Sequence, residues 1–361
     1  MKNDPSGKPE ALRIVHLLGG LRAFDTYDEV VKVGVGGLDK PMSFERPAYP
    51  ALYATLEDLK LQPVGVEFIS SEMELNGSMP RHWVSWRTPK GLDIVHRKQK
   101  WSSIRFAESD RDLIRYEIAG KIGTYLRLTD LRLKQLSEAY HQTLRAKLRR
   151  EDGDPQPQPG FFQNQWMAEI EAAIHAYFAD AAAFRDVLAE GMWLLLVKNK
   201  SKTVSKMGAL LKNVKAGDHQ LIDEVIREGN DGGWIKNLTD LRNGIIHDAP
   251  IDRSQEHSFC ELRALPHNKG NSLFILHYPL TTAEWGRREH KRQFPPTRDE
   301  SEMKETFERY REFAISSGDA LEYAWRTLSN LADLAERFRI AAGLEADIPR
   351  ITPIPGTLKR I

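Results

Sequence analysis

Three side chains close to residue 245 have the types and the spacing to do chemistry together. Arg242, Asn243 and His247 are the only arginine, amide and histidine in the chain that come together at a predicted helix end. Histidine is the side chain whose unperturbed pKa lies closest to neutrality, so it suits general acid–base catalysis. Arginine keeps its charge and offers a planar fork that matches phosphate oxygens. The three residue types therefore suit proton transfer beside a phosphate group.

The surrounding residues predict a helix that ends just after this group. Apolar side chains recur at intervals of three and four residues at Trp234, Leu238, Leu241 and Ile245, which is a helical period. Pro250 terminates the pattern, because proline disfavours helical geometry at the preceding residue. Arg242 and His247 lie roughly 140° apart on an ideal helix. They can converge on one small group only if Gly244 lets the last turn distort, or if a second copy of the helix completes the site.

Composition describes a globular protein without a strong overall charge. The chain has 361 residues, of which 41% are hydrophobic and 29% charged, and 52 basic residues balance 51 acidic ones. No global field draws such a protein to nucleic acid or to an anionic membrane, so binding must use local patches. Cys260 is the only cysteine, which excludes an intrachain disulfide framework and fits a reducing cytoplasm.

No metal, cofactor or membrane is expected from the sequence. His82 and His96 lack carboxylate or cysteine partners at a spacing that suits a metal. The longest apolar run, residues 192–197, is far too short to span a bilayer. We also recognise no secretion signal in the first residues.

The first half of the chain divides into four segments. Residues 1–10 are polar and predicted to be disordered. Residues 11–109 form a small α+β region, with strand-like runs at 30–35, 64–70, 82–88 and 92–96 separated by turn signals. Apolar residues at a helical period predict one long helix over 110–151. Residues 152–160 alternate proline with glutamine and are predicted to be a linker.

The second half is predicted to be a helical bundle over 161–343. Residues 166–197 form one long helix or two, and shorter helices follow at 206–214 and 220–228 before the helix that carries Arg242. A β-hairpin is inserted at about 255–280, with strands at 258–265 and 272–278. A last long helix begins at Ser301 and extends to about Phe338, and residues 344–361 form an irregular tail.

The stretch Arg242-Asn243-Gly244-Ile245-Ile246-His247 resembles the signature of HEPN-domain proteins. The signature of that family lies near a helix end. It consists of an arginine, a polar residue directly after it, and a histidine four to six residues beyond the arginine. The resemblance covers residues 161–250 and the closing helix at about 299–343. It implies a mainly α fold: a HEPN-like helical bundle with an inserted β-hairpin, here preceded by a small α+β N-terminal region.

The resemblance also implies an activity. Many HEPN proteins are endoribonucleases that need no metal, and they cut RNA through attack of the 2′-hydroxyl to leave a 2′,3′-cyclic phosphate. By this resemblance Arg242 and His247 are the catalytic pair and Asn243 supports them. The two motif helices of a homodimer would face each other across one cleft. A toxin–antitoxin or antiviral defence setting, with a regulatory protein or a nucleotide as a further partner, would follow.

Two basic stretches are candidates for RNA contact. The first is rich in lysine, with no acidic residue between Val197 and Lys215, and the second is an aromatic-flanked basic loop. The candidate residues are Lys198, Lys200, Lys202, Arg287, Arg288, Lys291 and Arg292. Charge and base stacking together bind single-stranded RNA, but a solvated surface explains the same pattern.

Other interpretations of the motif remain open at this point. Arg242 could pair with Asp240 or Glu228 while His247 caps carbonyls at the helix end. The fold could also serve as a non-catalytic HEPN scaffold that binds a nucleotide or a protein, because activity does not follow from fold. In a third interpretation the protein is a helical interaction module and the motif is incidental.

Overall fold

The computed structural model describes a mainly helical protein that also contains antiparallel sheet. The described residues are 11–26, 29–35, 41–45, 49–75, 77–86, 93–149, 157–162, 164–197, 203–243, 260–266, 272–280, 299–301, 304–305, 308, 312 and 315–345. The predicted mainly helical class is confirmed at this level. Among the described residues, no helix combines the length and apolar character needed to cross a bilayer.

The N-terminal region is organised around a six-stranded antiparallel sheet. Its strands are β1 (Ala11–Leu17), β2 (Arg22–Thr26), β3 (Val30–Gly34), β4 (Met42–Glu45), β5 (Pro63–Phe68) and β6 (His82–Ser85), in the order β4-β3-β2-β1-β5-β6. Helices α1 (Tyr49–Asp58) and α2 (Glu72–Leu75) connect strands along the chain. The strands predicted near residues 30, 64 and 82 are confirmed as β3, β5 and β6.

The strand predicted at 92–96 is wrong, because this segment begins helix α3 (Asp93–Glu108). Four buried residues, Arg97, Trp101, Ile104 and Glu108, recur at intervals of three and four along it, which is the helical period. Two of the four are charged, so the apolar pattern alone was too sparse to reveal the helix. Arg97 is paired with Asp333 at 3.1 Å, a partner more than 200 residues away.

Three long helices form the centre of the molecule. They are α4 (Leu113–Leu148), α5 (Met167–Met192) and α9 (Ala320–Ala341). The predicted long helix at 110–151 is confirmed as α4, with Asp112 as its N-cap. The sequence predicts one long helix or two over residues 166–197. The single helix is confirmed, since α5 continues directly into a wider π turn at Trp193–Val197.

Contacts between side chains give the directions of these helices. Lys121 of α4 binds Glu190 of α5, and Arg132 of α4 binds Asp180 of α5. The later residue of α4 therefore contacts the earlier residue of α5, which means that the two helices are antiparallel. Tyr140, near the end of α4, donates to Asp319 at the start of α9, and Arg115, near the start of α4, donates to the Ala342 carbonyl at the end of α9, so α4 and α9 are antiparallel as well.

Short helices and a small sheet complete the second half. Helices α6 (Met207–Asn213), α7 (Gln220–Glu228) and α8 (Trp234–Asn243) follow α5 and agree with the predicted helices. Strands β7 (Gly160–Phe162), β8 (Cys260–Pro266) and β9 (Ser272–His277) form an antiparallel sheet in that order. The predicted hairpin is confirmed as β8 and β9, and the pairing of β7 with β8 was not predicted.

The prediction of one uninterrupted helix from Ser301 to Phe338 is wrong. The described residues between 300 and 316 are helical, but the helix breaks at residues 317–319 and α9 begins at Ala320. Asp319 caps the new helix by accepting from the backbone N–H of Glu322 at 3.0 Å. The same carboxylate accepts from the Tyr278 backbone N–H and from the Tyr140 hydroxyl. These distant partners fix the break.

Most buried apolar side chains of the sheet and of the helices belong to one contiguous hydrophobic cluster. Gly20, in the turn between β1 and β2, lies against α4: a Cβ there would be 2.8 Å from the Tyr140 carbonyl oxygen, and its φ is +83°. A side chain would therefore be both strained and obstructed. Helix α4 thus packs against the N-terminal sheet as well as against α5 and α9. The domain boundaries predicted from composition remain a prediction.

Candidate functional site

The described part of the predicted catalytic group lies on the last described turn of α8. Arg242 is half-buried and Asn243 is exposed, and Arg242 Nη1 donates to Asn243 Oδ1 over 3.2 Å. His247 lies outside the described residues, as does the rest of the motif after Asn243. The structure thus brings together two of the three predicted residues.

Helix α8 is fixed to the bundle by its apolar face and by one polar contact. Ile235, Leu238 and Leu241 are buried, as their helical spacing predicts. On the same helix, the Thr239 hydroxyl accepts from Arg185 Nη1 of α5 over 2.6 Å. Arg185 is 6% exposed, so this hydrogen bond is sheltered from water. The last turn of α8 is therefore held against α5.

Asp186 extends the same contact to a third helix. It accepts from Arg185 Nε and Nη2 at 3.1 and 2.8 Å, and the same oxygen, Oδ1, accepts from the Met207 backbone N–H at 3.0 Å. That N–H belongs to the first turn of α6, whose donors have no partner inside the helix. One carboxylate on α5 therefore fixes the start of α6 and orients the arginine that holds α8.

Neighbouring carboxylates have partners other than Arg242. Asp240 pairs with Lys236, and Glu228 pairs with Arg227 at 3.3 Å. Glu228 also accepts from the Trp234 backbone N–H at the start of α8. These contacts give both carboxylates a structural role along the helix.

The candidate RNA-binding residues lie outside the described part of the chain. They are Lys198, Lys200, Lys202, Arg287, Arg288, Lys291 and Arg292. Three further lysines of the same basic stretch, Lys206, Lys212 and Lys215, are described and are exposed. They lie on or beside α6, the helix that Asp186 anchors.

A second group of polar side chains, which sequence reasoning missed, is buried where the N-terminal sheet meets α4. His16 Nδ1 lies 3.0 Å from Ser137 Oγ, and His16 Nε2 lies 3.7 Å from Glu67 Oε2. Serine, histidine and glutamate are the residue types of a nucleophilic triad. However, Ser137 is 2% exposed and His16 is 0% exposed, so no substrate carbonyl reaches the hydroxyl. The group is a structural network.

Electrostatics of this network favour a charged glutamate and a neutral histidine. Burial lowers the pKa of His16 to about 3, and the charge of Arg22 acts in the same direction. Burial acts to raise the pKa of Glu67, but the proximity of His16 and Lys134 outweighs it and holds that pKa below its usual range. Lys134 Nζ lies 2.6 Å from Glu67 Oε1, and Arg81 Nη1 lies 3.0 Å from Oε2. Glu67 is therefore the carboxylate on which two cations converge.

An open cleft of about 530 Å³ lies beside this network. Its walls come from the N-terminal sheet and from the facing sides of α4 and α5. They include Arg22, Glu67, Arg81, Arg132, Gln135, Glu138, Gln142, Trp166 and Glu169, together with four alanines. Within the described ranges, no group of three or more histidine, cysteine or carboxylate residues is arranged to hold a metal ion.

One sequence signal could have indicated this cleft. The residues of α4 and α5 that line the cleft recur at helical intervals. They are 132, 135, 138, 139 and 142 on α4, and 169, 172, 173 and 176 on α5. They are polar residues and alanines, so a search for apolar stripes passes over them. Arg22, Glu67 and Arg81 reach the cleft because the N-terminal sheet folds against α4. No pattern in the neighbouring sequence indicates this.

Comparison with known proteins gives no relative on which to base a function. No family model, no curated protein and no solved structure matches the chain.

Proposed function

We propose that the protein is a HEPN-type endoribonuclease that acts in the cytoplasm without a metal. The observation that carries the proposal is the pairing of Arg242 with Asn243 at the end of α8, over 3.2 Å. Asn243 is exposed there, and the sequence places His247 four residues further on. In this proposal the helices around α5 form the HEPN-like bundle.

The proposed reaction assigns a separate task to each residue. His247 takes the proton from a ribose 2′-hydroxyl, which attacks the adjacent phosphorus, and the 5′-oxygen of the next nucleotide leaves with a proton taken from water. Arg242 neutralises the charge that develops on the phosphoryl oxygens. Asn243 orients the guanidinium through its side-chain oxygen. The products are a 2′,3′-cyclic phosphate and a 5′-hydroxyl end.

A homodimer would solve the angular problem of the motif. Arg242 and His247 project roughly 140° apart on a regular helix, so one helix does not aim both at the same phosphate. Two motif helices related by a twofold axis place the arginine of one protomer opposite the histidine of the other. The exposed lysines at 206, 212 and 215 would add phosphate contacts beside that cleft.

The experiment is an RNA cleavage assay in excess EDTA with end analysis. Purified protein is incubated with labelled tRNA and mRNA, beside Arg242→Ala, His247→Ala and the control Arg326→Ala. Arg326 is an exposed arginine on α9, so its removal changes the net charge equally. Cleavage that resists EDTA, leaves a cyclic phosphate and is lost only in the first two variants is the expected result.

Two outcomes contradict the proposal. Cleavage that persists in both motif variants would mean that another site or a contaminant cuts the RNA. If the wild type cuts none of the RNAs but forms a dimer that both motif variants retain, the non-catalytic scaffold becomes the better account. In that case nucleotides and proteins are the partners to test.

A further inference from the structure

The cleft between α4, α5 and the N-terminal sheet has the features of a small-molecule site. Its volume of about 530 Å³ lies within the range of ligand pockets. Alanines at 139, 172, 173 and 176 line it, and their small side chains leave the groove between the two helices open. Larger polar residues surround these alanines. Eight of the thirteen lining residues that the structure describes are charged or amide side chains, so the cleft suits a polar ligand that has one flat apolar part to lie against the alanines.

Arg22 is the feature of the cleft that points to an anion. Its Nε is buried and has no hydrogen-bond partner within the described ranges, although the residue lines the cleft. Glu67 and Glu138, the carboxylates whose charges act on Arg22, both contact Lys134. Arg22 as a whole is half-buried, burial lowers its pKa, and a sheltered N–H without an acceptor is costly. An anion bound in the cleft would contact the part of the guanidinium that lines it and would give this cation a partner.

The other cations of the cleft are already paired. Arg81 is bound to Glu67 at 3.0 Å, and Arg132 is bound to Asp180 at 2.8 Å. Arg132 also donates to Gln135 Oε1 at 2.9 Å. These bonds hold both guanidinium groups in place at the cleft wall. Among the described residues, Arg22 is therefore the one arginine of the cleft lining that has no ion pair.

A lone phosphate ion does not account for the rest of the lining. Gln135 and Gln142 are seven residues apart on α4, which separates them by roughly 10 Å along the helix. Trp166 lies at the start of α5 with 45% of its surface exposed. Its backbone is fixed by a bond from Thr143 and by one to Asn164. An exposed indole on a fixed backbone is a surface on which a planar ring can stack.

We propose that this cleft binds a nucleoside phosphate. The phosphate group binds Arg22, the base stacks on Trp166, and the amides of Gln135 and Gln142 provide hydrogen bonds to the base edge. Glu138 and Glu169, which also line the cleft, accept from the ribose hydroxyls. This site is separate from the motif at the end of α8 and does not depend on ribonuclease activity.

The test is a titration of the full chain by calorimetry. The probes are the 5′-monophosphates of adenosine, guanosine, cytidine and uridine, with inorganic phosphate and adenosine as partial ligands. At least one monophosphate is expected to bind with a Kd below about 1 mM and more tightly than phosphate. Arg22→Gln should weaken it by roughly tenfold or more, and Trp166→Ala by at least about fivefold.

Two further variants separate the cleft from a loss of folding. Ala172→Leu fills the cleft without changing charge and should abolish binding, whereas Ala179→Leu makes the same change at an exposed position of α5 outside the lining. Arg326→Gln controls for net charge. A thermal melt of each variant confirms that it is folded.

Three results would overturn the proposal. The first is that none of the four monophosphates binds the wild type with a Kd below about 1 mM. The second is that inorganic phosphate binds as tightly as the nucleotides, which would leave an anion site only. The third is that folded Arg22→Gln, Trp166→Ala and Ala172→Leu proteins all keep wild-type affinity, which would place the nucleotide elsewhere.

Discussion

Arg185 of α5 donates to the hydroxyl of Thr239 on α8 over 2.6 Å, three residues before Arg242. The two residues are far apart in sequence but connect the centre of the bundle to the helix that ends in the candidate site. Thr239 also donates to the carbonyl of Ile235 within its own helix. The position of the last turn of α8 thus depends on a side chain of another helix.

Replacement of Thr239 by valine should weaken both stability and RNA cleavage. The methyl group leaves a buried Arg185 N–H without an acceptor, which costs about 1–3 kcal/mol. Because the end of α8 loses a fixed contact, we expect cleavage to fall even in protein that remains folded. Urea denaturation and the cleavage assay measure the two effects. Thr239→Ser keeps the hydroxyl and should behave like the wild type; equal activity in both variants would show that this contact does not position the site.

Replacement of Arg242 by lysine should not preserve activity. Lysine keeps the charge but lacks the planar fork, so it cannot present two donors to a phosphate oxygen and to Asn243 in the same fixed geometry. We expect cleavage to fall by about 10²-fold or more, as when one stabilising donor is removed from a transition state. Single-turnover cleavage rates measure this loss. Near-normal rates in Arg242→Lys would mean that only charge is needed, and the pairing with Asn243 would have no catalytic role.

The two histidines buried where α4 meets the N-terminal sheet, His16 and His141, should make the protein sensitive to acid. Burial lowers the pKa of His16 to about 3 and that of His141 to about 4, from 6.5 in both cases. Below pH 6.5 the unfolded chain therefore binds protons that the folded chain does not, so stability falls as the pH falls towards these values. Each histidine contributes a slope of about 1.4 kcal/mol per pH unit near pH 5.

The contribution of each histidine can be isolated by difference. His16→Gln and His141→Gln should each reduce the dependence of unfolding free energy on pH between about pH 4.5 and 6. The comparison with the wild type is needed because burial raises the pKa of Asp319 to about 6, which gives an opposing slope. His175 is a suitable control, since it is half-buried on α5 and its substitution should change the slope less. Unchanged slopes in both buried-histidine variants would contradict the proposed protonation states.

Gly65 on β5 should be intolerant of any side chain. A Cβ at this position would lie 2.1 Å from Trp83, whose indole also donates to Asp130 over 3.1 Å. Overpacking of this kind costs about 1–3 kcal/mol, so Gly65→Ala should lower the unfolding free energy by that amount. Gly208→Ala, at a helical position with open space, should be neutral or slightly stabilising. If both substitutions behave alike in denaturation experiments, Trp83 does not pack over Gly65 as described.

Local patterns in the sequence were sufficient for most of the helices and strands. The bounds of α4, α7 and the β8–β9 hairpin could be predicted because their apolar residues repeat at the helical or strand period and their ends carry turn residues. The same logic placed Arg242 and Asn243 on a helix. The motif itself, through its residue types and spacing, carries the proposed ribonuclease function.

Tertiary structure decided the features that depend on distant partners. His16 and Ser137 are 121 residues apart, and the three walls of the cleft come from a sheet and two helices. The break before α9 follows from the hydrogen bonds that Asp319 accepts from Tyr140 and Tyr278. The helical conformation of α3 follows from a row of buried side chains, two of which are apolar and two charged. The physical reason is common to all four: backbone periodicity is set by neighbouring residues, whereas a buried charge or a helix cap depends on groups that only the folded chain brings within reach.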